Sequence, residues 1–171
     1  MLSRTEIEAF FQRVGDECEP GSVIYLLGGT ALGYLGSSRP TMDLDYVGSD
    51  IAMNAFQGLL SQIAQEMQLE IEAVPIDEFI PIPEGATERA IFIETYENLS
   101  VYVVDPYTIA LSKIDRGFDT DIEDVVFLSR NGFVDINVLA QEAENAINQA
   151  AQFDLDTQAM QRHLQAVQKS L

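Results

Sequence analysis

One cysteine, Cys18, one histidine, His163, and no tryptophan stand in 171 residues. A lone thiol cannot close an internal disulfide, so packing has to hold the fold, and a reducing cytoplasm is the simplest location. The longest apolar runs, such as Val23 to Leu27 and Val101 to Val104, are far too short to span a membrane. The opening residues, Met-Leu-Ser-Arg-Thr-Glu-Ile-Glu, lack the basic region and apolar stretch of a signal peptide. Positive charge is scarce too. Nine Lys and Arg stand against 28 Asp and Glu, a formal net charge of −19, and the nine are scattered. A surface of that sign repels phosphate backbones and gains nothing from counterion release. Extended nucleic-acid binding is therefore disfavoured, and only a local RNA contact stays open. High solubility or a salt-rich cytoplasm accounts for most of the charge, and a basic protein partner is compatible with it.

Core-forming residues are plentiful. Apolar residues make up 47% of the chain, with nine Phe and six Tyr. That suffices for an ordinary core, and the length suits one domain with a helical appendage. Ser3-Arg-Thr-Glu6 is a capping box, and Ile7, Phe10, Phe11 and Val14 follow at helical spacing. Glu19-Pro20-Gly21 ends that helix. Ser22 to Leu27 reads as a strand buried on both faces. Thr30 to Leu35 reads as a short helix and Thr41 to Val47 as a second strand. A helix over 51–68 presents Met53, Phe56, Leu60, Ile63 and Met67 on one side. Leu69 to Ile76 alternates as a third strand. Ile76 to Gly85, with two prolines, reads as loop or edge. Arg89 to Thr95 and Leu99 to Val104 read as two strands joined by a short turn. Asp105-Pro106 is a helix start. Helices follow to about Arg116, from Asp121 to Arg130, from Asp135 to Gln152 and from Thr157 to Lys169, the last loosely packed beyond a linker-like 151–156. The expected fold is α/β or α+β: a small mixed sheet of about five strands, with helices behind it and more at the C-terminus. We expect an α/β domain over 1–132 and a helical extension over 133–171, packed together as one unit.

Two stretches carry potential chemistry. Asp43 and Asp45 lie two apart on a strand, hence on one face. Adjacent carboxylates repel, and a divalent cation with hard oxygen preference relieves this. An acidic, solvent-facing edge strand is the plainer alternative. Gly28-Gly29-Thr30 lies between a strand and a helix, where paired glycines let a phosphate approach the backbone. The Thr30 hydroxyl is there a donor or simply a helix cap. Together the two stretches offer phosphate contacts and metal ligands on neighbouring strands. Cys18 has no base near it in sequence, His163 reads as a surface residue, and Met42, Met53 and Met67 read as core.

The stretch GGTALGYLGSSRPTMDLD resembles the signature of the polymerase-β-like nucleotidyltransferases, and in particular the AbiEii-type and related minimal nucleotidyltransferases, which include toxins of bacterial toxin–antitoxin systems. The segment VVDPYTIALSKIDRGFDTDIEDVVFL is similar to a second block of the family, a Lys-bearing helix followed by a D-x-x-D helix. The resemblance covers roughly residues 22 to 130 and implies a nucleotidyltransferase-like fold. It implies transfer of a nucleoside monophosphate from an NTP to an acceptor, dependent on Mg²⁺ or Mn²⁺. Asp43 and Asp45 would bind the metal, and Gly28, Gly29 and Thr30 the triphosphate. Arg39, in the turn just before the acidic strand, is read from its place there as a contact for the triphosphate or a partner of Asp43 or Asp45, with an exposed loop residue as the plain alternative. Lys113 would neutralise phosphate charge, and Asp121 or Asp124 would assist. A third metal carboxylate would come from the next strand, from Glu70 or, by preference, Glu72. For Lys113, Asp121 and Asp124 a solvent-facing Lys, an N-cap and a first-turn acid are the plain alternatives. A cognate antitoxin or other protein would be the partner. The competing expectation is an inactive protein of the same fold that acts as a binding module.

Overall fold

The computed structural model describes residues 1–51 and 53–171. The elements run α1 (Arg4–Glu17), β1 (Ser22–Leu26), α2 (Gly28–Tyr34), β2 (Leu44–Val47), α3 (Ala55–Met67), β3 (Ile71–Val74) and α4 (Ile76–Phe79). Then come β4 (Ile91–Tyr96), β5 (Leu99–Val103), α5 (Pro106–Arg116), α6 (Asp119–Arg130), α7 (Ile136–Ile147), α8 (Ala150–Phe153) and α9 (Thr157–Ser170). The fold is mixed α/β, with a sheet of five strands as expected. The chain divides into two compact units, Met1–Pro75 with Ala90–Val104, and Ile76–Arg89 with Asp105–Leu171. Residues 133–171 thus share a unit with 105–132. Among the described residues no helix is long and apolar enough to cross a membrane.

The first unit holds the sheet, in the order β3-β2-β1-β5-β4. β1 runs antiparallel to β2 and parallel to β5, β3 runs parallel to β2, and β4 and β5 form a hairpin. One face buries Ile24, Leu26, Leu44, Tyr46, Leu99 and Val101. α1 and α3 supply Phe10, Phe11, Val14, Leu60 and Ile63 to the same core, and the Phe11 ring lies 5.6 Å from that of Tyr96. Each such side chain contributes about 1.5–3 kcal/mol on burial. The capping box holds: Ser3 Oγ accepts from the Glu6 N–H, and Glu6 Oε2 accepts from the Ser3 N–H at 2.8 Å.

The run 22–27 is not buried on both sides. Val23 is 39% exposed while Ile24 and Leu26 are closed off, so the strand has an inner and an outer face. The second strand is shorter than its pattern suggests and starts at Leu44, which puts Asp43 just ahead of it. Met42 and Met53 are both 64% exposed and lie outside any core, because they precede β2 and α3 rather than sitting on them.

In the second unit α5 is the central helix. Its Ile109, Leu111 and Ile114 are buried, along with Val125 and Leu128 of α6 and Leu139 of α7. α9 is not loose. Met160 and Val167 are fully buried, and His163, half-buried rather than on the surface, donates from Nδ1 to the Ile114 carbonyl at 2.6 Å. Gly117 closes α5 with φ +69°, and a Cβ there would overlap the His163 ring. The Pro-rich segment 76–89 also contains α4, and its end is pinned. The Arg89 guanidinium makes two hydrogen bonds of 2.9 Å to the Asp105 carboxylate, which also caps α5 by accepting from the Tyr107 N–H. A bidentate pair of this kind ties residues 76–89 to the start of α5.

Candidate functional site

The antiparallel pairing of β1 and β2 aligns Leu26 with Tyr46, and the Leu27 N–H donates to the Asp45 carbonyl at 3.0 Å. The end of β1 therefore meets the start of β2, and the Gly28-Gly29-Thr30 turn lies against the aspartates. Helix α2 begins at Gly28, two residues earlier than the pattern suggests, so both glycines lie inside its first turn. Gly28 has φ +58°, and a Cβ there would overlap the Asp45 carboxylate. A Cβ on Gly29 would come within 2.8 Å of Thr41 Oγ1. Both glycines are required by the close approach of the segment 41–45.

Thr30 is buried, and its hydroxyl donates to the Asp43 carbonyl at 2.9 Å; Thr41 Oγ1 donates to the same oxygen at 3.0 Å. Two hydroxyls on one carbonyl fix the backbone that carries the acidic pair. Thr41 went unnoticed in the sequence, although it stands two residues before Asp43. Thr30 does not cap α2, whose N-cap residue is Leu27 with no side-chain hydrogen bond. Arg39 is half-buried, and its backbone N–H donates to Ser37 Oγ at 3.3 Å.

Across β2 and β3, Asp45 pairs with Glu72 in register. Carboxylate oxygens of Asp43, Asp45 and Glu72 lie within 4.8 Å of one another; the aspartates are half-buried and Glu72 is exposed. Three carboxylates this close repel, and partial burial of two sharpens the repulsion. The donor set is all oxygen and all anionic, which fits a hard divalent cation. Glu70, the other acidic candidate, precedes β3 and is exposed.

In the second unit, Lys113 Nζ bonds Asp121 Oδ1 at 3.2 Å and Asp124 Oδ2 at 2.6 Å, with all three side chains buried. The Lys113 ammonium is thus neither solvent-facing nor an ornament of the helix end: it links α5 to α6. Arg116 also bonds Asp121 Oδ1, at 2.6 Å. Asp121 is the third residue of α6 and reaches back to the Phe118 N–H at 3.3 Å, so it closes the helix start from inside rather than as the N-cap. Burial pushes the Asp121 carboxyl up, but the Arg116 hydrogen bond and the Lys113 charge outweigh it and hold the group below the ordinary aspartate value. Arg116 is the partner that the sequence reading missed; its place five residues before Asp121 is a weak signal.

A glycine turn packed on an acidic pair, with a third carboxylate from the neighbouring strand, agrees with the resemblance seen in the sequence. No curated protein and no solved structure matches the chain. The family described as "Nucleotidyltransferase of unknown function (DUF6036)" matches residues 5–170, nearly the whole length, and the chain belongs to that family.

Proposed function

We propose that the protein is a divalent-metal-dependent nucleotidyltransferase that moves a nucleoside monophosphate from an NTP to a hydroxyl-bearing acceptor. The observation that carries this reading is the convergence of Asp43, Asp45 and Glu72 within 4.8 Å, beside a glycine turn, in a chain of nucleotidyltransferase family.

Asp43, Asp45 and Glu72 would hold Mg²⁺ or Mn²⁺. When bound, such an ion supplies charge neutralisation and Lewis acidity at phosphoryl oxygens. The remaining parts belong to the chain. Gly28 and Gly29 open the first turn of α2, whose backbone N–H groups would meet the triphosphate, and their missing side chains leave the room that Asp45 and Thr41 take. Thr30 acts through Asp43, whose carbonyl its hydroxyl holds, rather than through a phosphate. Arg39, just ahead of the acidic strand, is the guanidinium assigned to the triphosphate. Lys113 and Asp121 serve the second unit: the ammonium is engaged by Asp121 and Asp124 and fixes α5 on α6.

The finer reading is a toxin-like role beside a cognate antitoxin in the cytoplasm, as in AbiEii-type proteins; it rests on the stretch 28–45 and its spacing. A binding module without turnover is the second reading, favoured by the exposure of Glu72, which leaves the third ligand on an open edge.

Mn²⁺ and Mn·ATP titrations of the wild type and of Asp43→Asn/Asp45→Asn test the site, and transfer of label from α-labelled NTPs to cell extract tests the activity. We expect metal-dependent nucleotide binding and a labelled acceptor in the wild type only. Equal metal affinity in both proteins sinks the metal site. Binding with no labelled product under any of the four NTPs favours the module.

A further inference from the structure

We infer that the outer face of the sheet is a docking surface for an extended, positively charged polypeptide segment. Strand register carries the argument. Tyr25 pairs with Tyr102, Tyr102 with Phe92, and Val47 with Val74. The alignment of Leu26 with Tyr46 sets Tyr25 opposite Val47. A single row therefore crosses all five strands, Val74-Val47-Tyr25-Tyr102-Phe92, opposite in sense to the buried Ile24, Tyr46 and Val101. Its rings touch: Tyr25 and Tyr102 have centroids 5.5 Å apart, and Phe92 meets Tyr102 edge-on at 5.3 Å. Phe92 is 54% exposed, and Tyr25, Tyr102, Val47 and Val74 are half-exposed. Contiguous aromatic surface of this kind marks an interaction site rather than a scatter of exposed residues.

Charge and length decide the occupant. The next row on the same face is Asp45 and Glu72, continuous with the candidate metal site. None of the strand residues is Lys or Arg. A single-stranded RNA could stack on the rings, but nothing on the strands would neutralise its phosphates. Ring faces are negative in their quadrupole and the neighbouring carboxylates add to that field, so ammonium or guanidinium groups are favoured. Four strand spacings span about 19 Å, which matches roughly six residues of extended chain and far exceeds one small cation.

The inference does not rest on nucleotidyl transfer, and its test uses neither nucleotide nor metal. Fluorescence anisotropy follows a fluorescein-labelled peptide of alternating arginine and serine on the full chain. We expect saturable binding, weakened roughly tenfold in Phe92→Ala/Tyr102→Ala and nearly as much in Phe92→Leu/Tyr102→Leu, which keeps apolar bulk without rings. Asp16→Asn/Glu19→Gln, with charges removed from the exposed side and the end of α1, which packs on the opposite face of the sheet, should bind as the wild type does. Should the alanine variant fail to fold by circular dichroism, the leucine variant decides. Absence of binding, equal binding with and without the rings, an equal loss in the off-face variant, or displacement of the peptide by a uridine oligonucleotide would each overturn the inference.

Discussion

The Cα of Gly28 packs so tightly on the Asp45 side chain that a methyl group on residue 28 would overlap the carboxylate. The glycine turn and the acidic pair are therefore one construction: the first leaves the space that the second fills.

Gly28→Ala should consequently do two things. It should lower stability by about 1–2 kcal/mol through its left-handed backbone, and it should displace Asp45 and lower Mn²⁺ affinity. Gly36→Ala is the control, since Gly36 has φ +100° and nothing within 4 Å of a built Cβ. That variant should melt earlier but keep its metal affinity. Identical Mn²⁺ titrations for both variants would contradict the coupling of turn and site.

Thr30→Val keeps the shape of a buried side chain and deletes its hydroxyl. The Asp43 carbonyl retains Thr41. We expect a loss of about 1 kcal/mol in urea unfolding and weaker Mn²⁺ binding, both restored by Thr30→Ser. Thr30→Val/Thr41→Val should weaken the metal by more than the two single changes combined, because both hydroxyls serve one oxygen.

Lys113→Met takes the ammonium from two buried carboxylates and should cost about 3–5 kcal/mol. Lys113→Met/Asp121→Asn/Asp124→Asn, which removes the like-charge pair as well, should recover part of that loss. If Lys113→Met changes urea stability by less than about 1 kcal/mol, the cluster does not hold α5 to α6.

Asp121 also predicts an acid limb. Its folded value is depressed, so its contribution is complete above the unfolded aspartate value and disappears as pH falls through the folded one. Stability should thus fall with acidification below about pH 4, and Asp121→Asn should flatten that part of the urea profile while lowering the plateau at neutral pH. An unchanged acid limb in Asp121→Asn would show that other carboxylates set it.

Much of the fold can be read locally. The capping box at Ser3 and Glu6, the Asp105-Pro106 start and the five strands follow from residues adjacent in the chain, because caps, turns and alternation act over a few positions. A local pattern misleads where burial depends on what lies opposite. Val23 to Leu27 is apolar throughout, yet one side of it is open. Met42 and Met53 are apolar but precede their elements. His163 looks solitary until α9 lays it on Gly117 and the Ile114 carbonyl.

The candidate site divides in the same way. By itself the sequence determined the glycine pair, the D-x-D spacing and the fact that β2 follows one short helix after β1, since those are set by backbone chemistry within about twenty residues. Only the tertiary structure decided which carboxylate joins them. Glu72 stands beside Asp45 because β3 pairs in parallel register with β2. It also decided that Lys113 lies between two aspartates of the next helix. Register and helix packing are long-range properties, fixed by which apolar faces bury together, and no short stretch of sequence contains them.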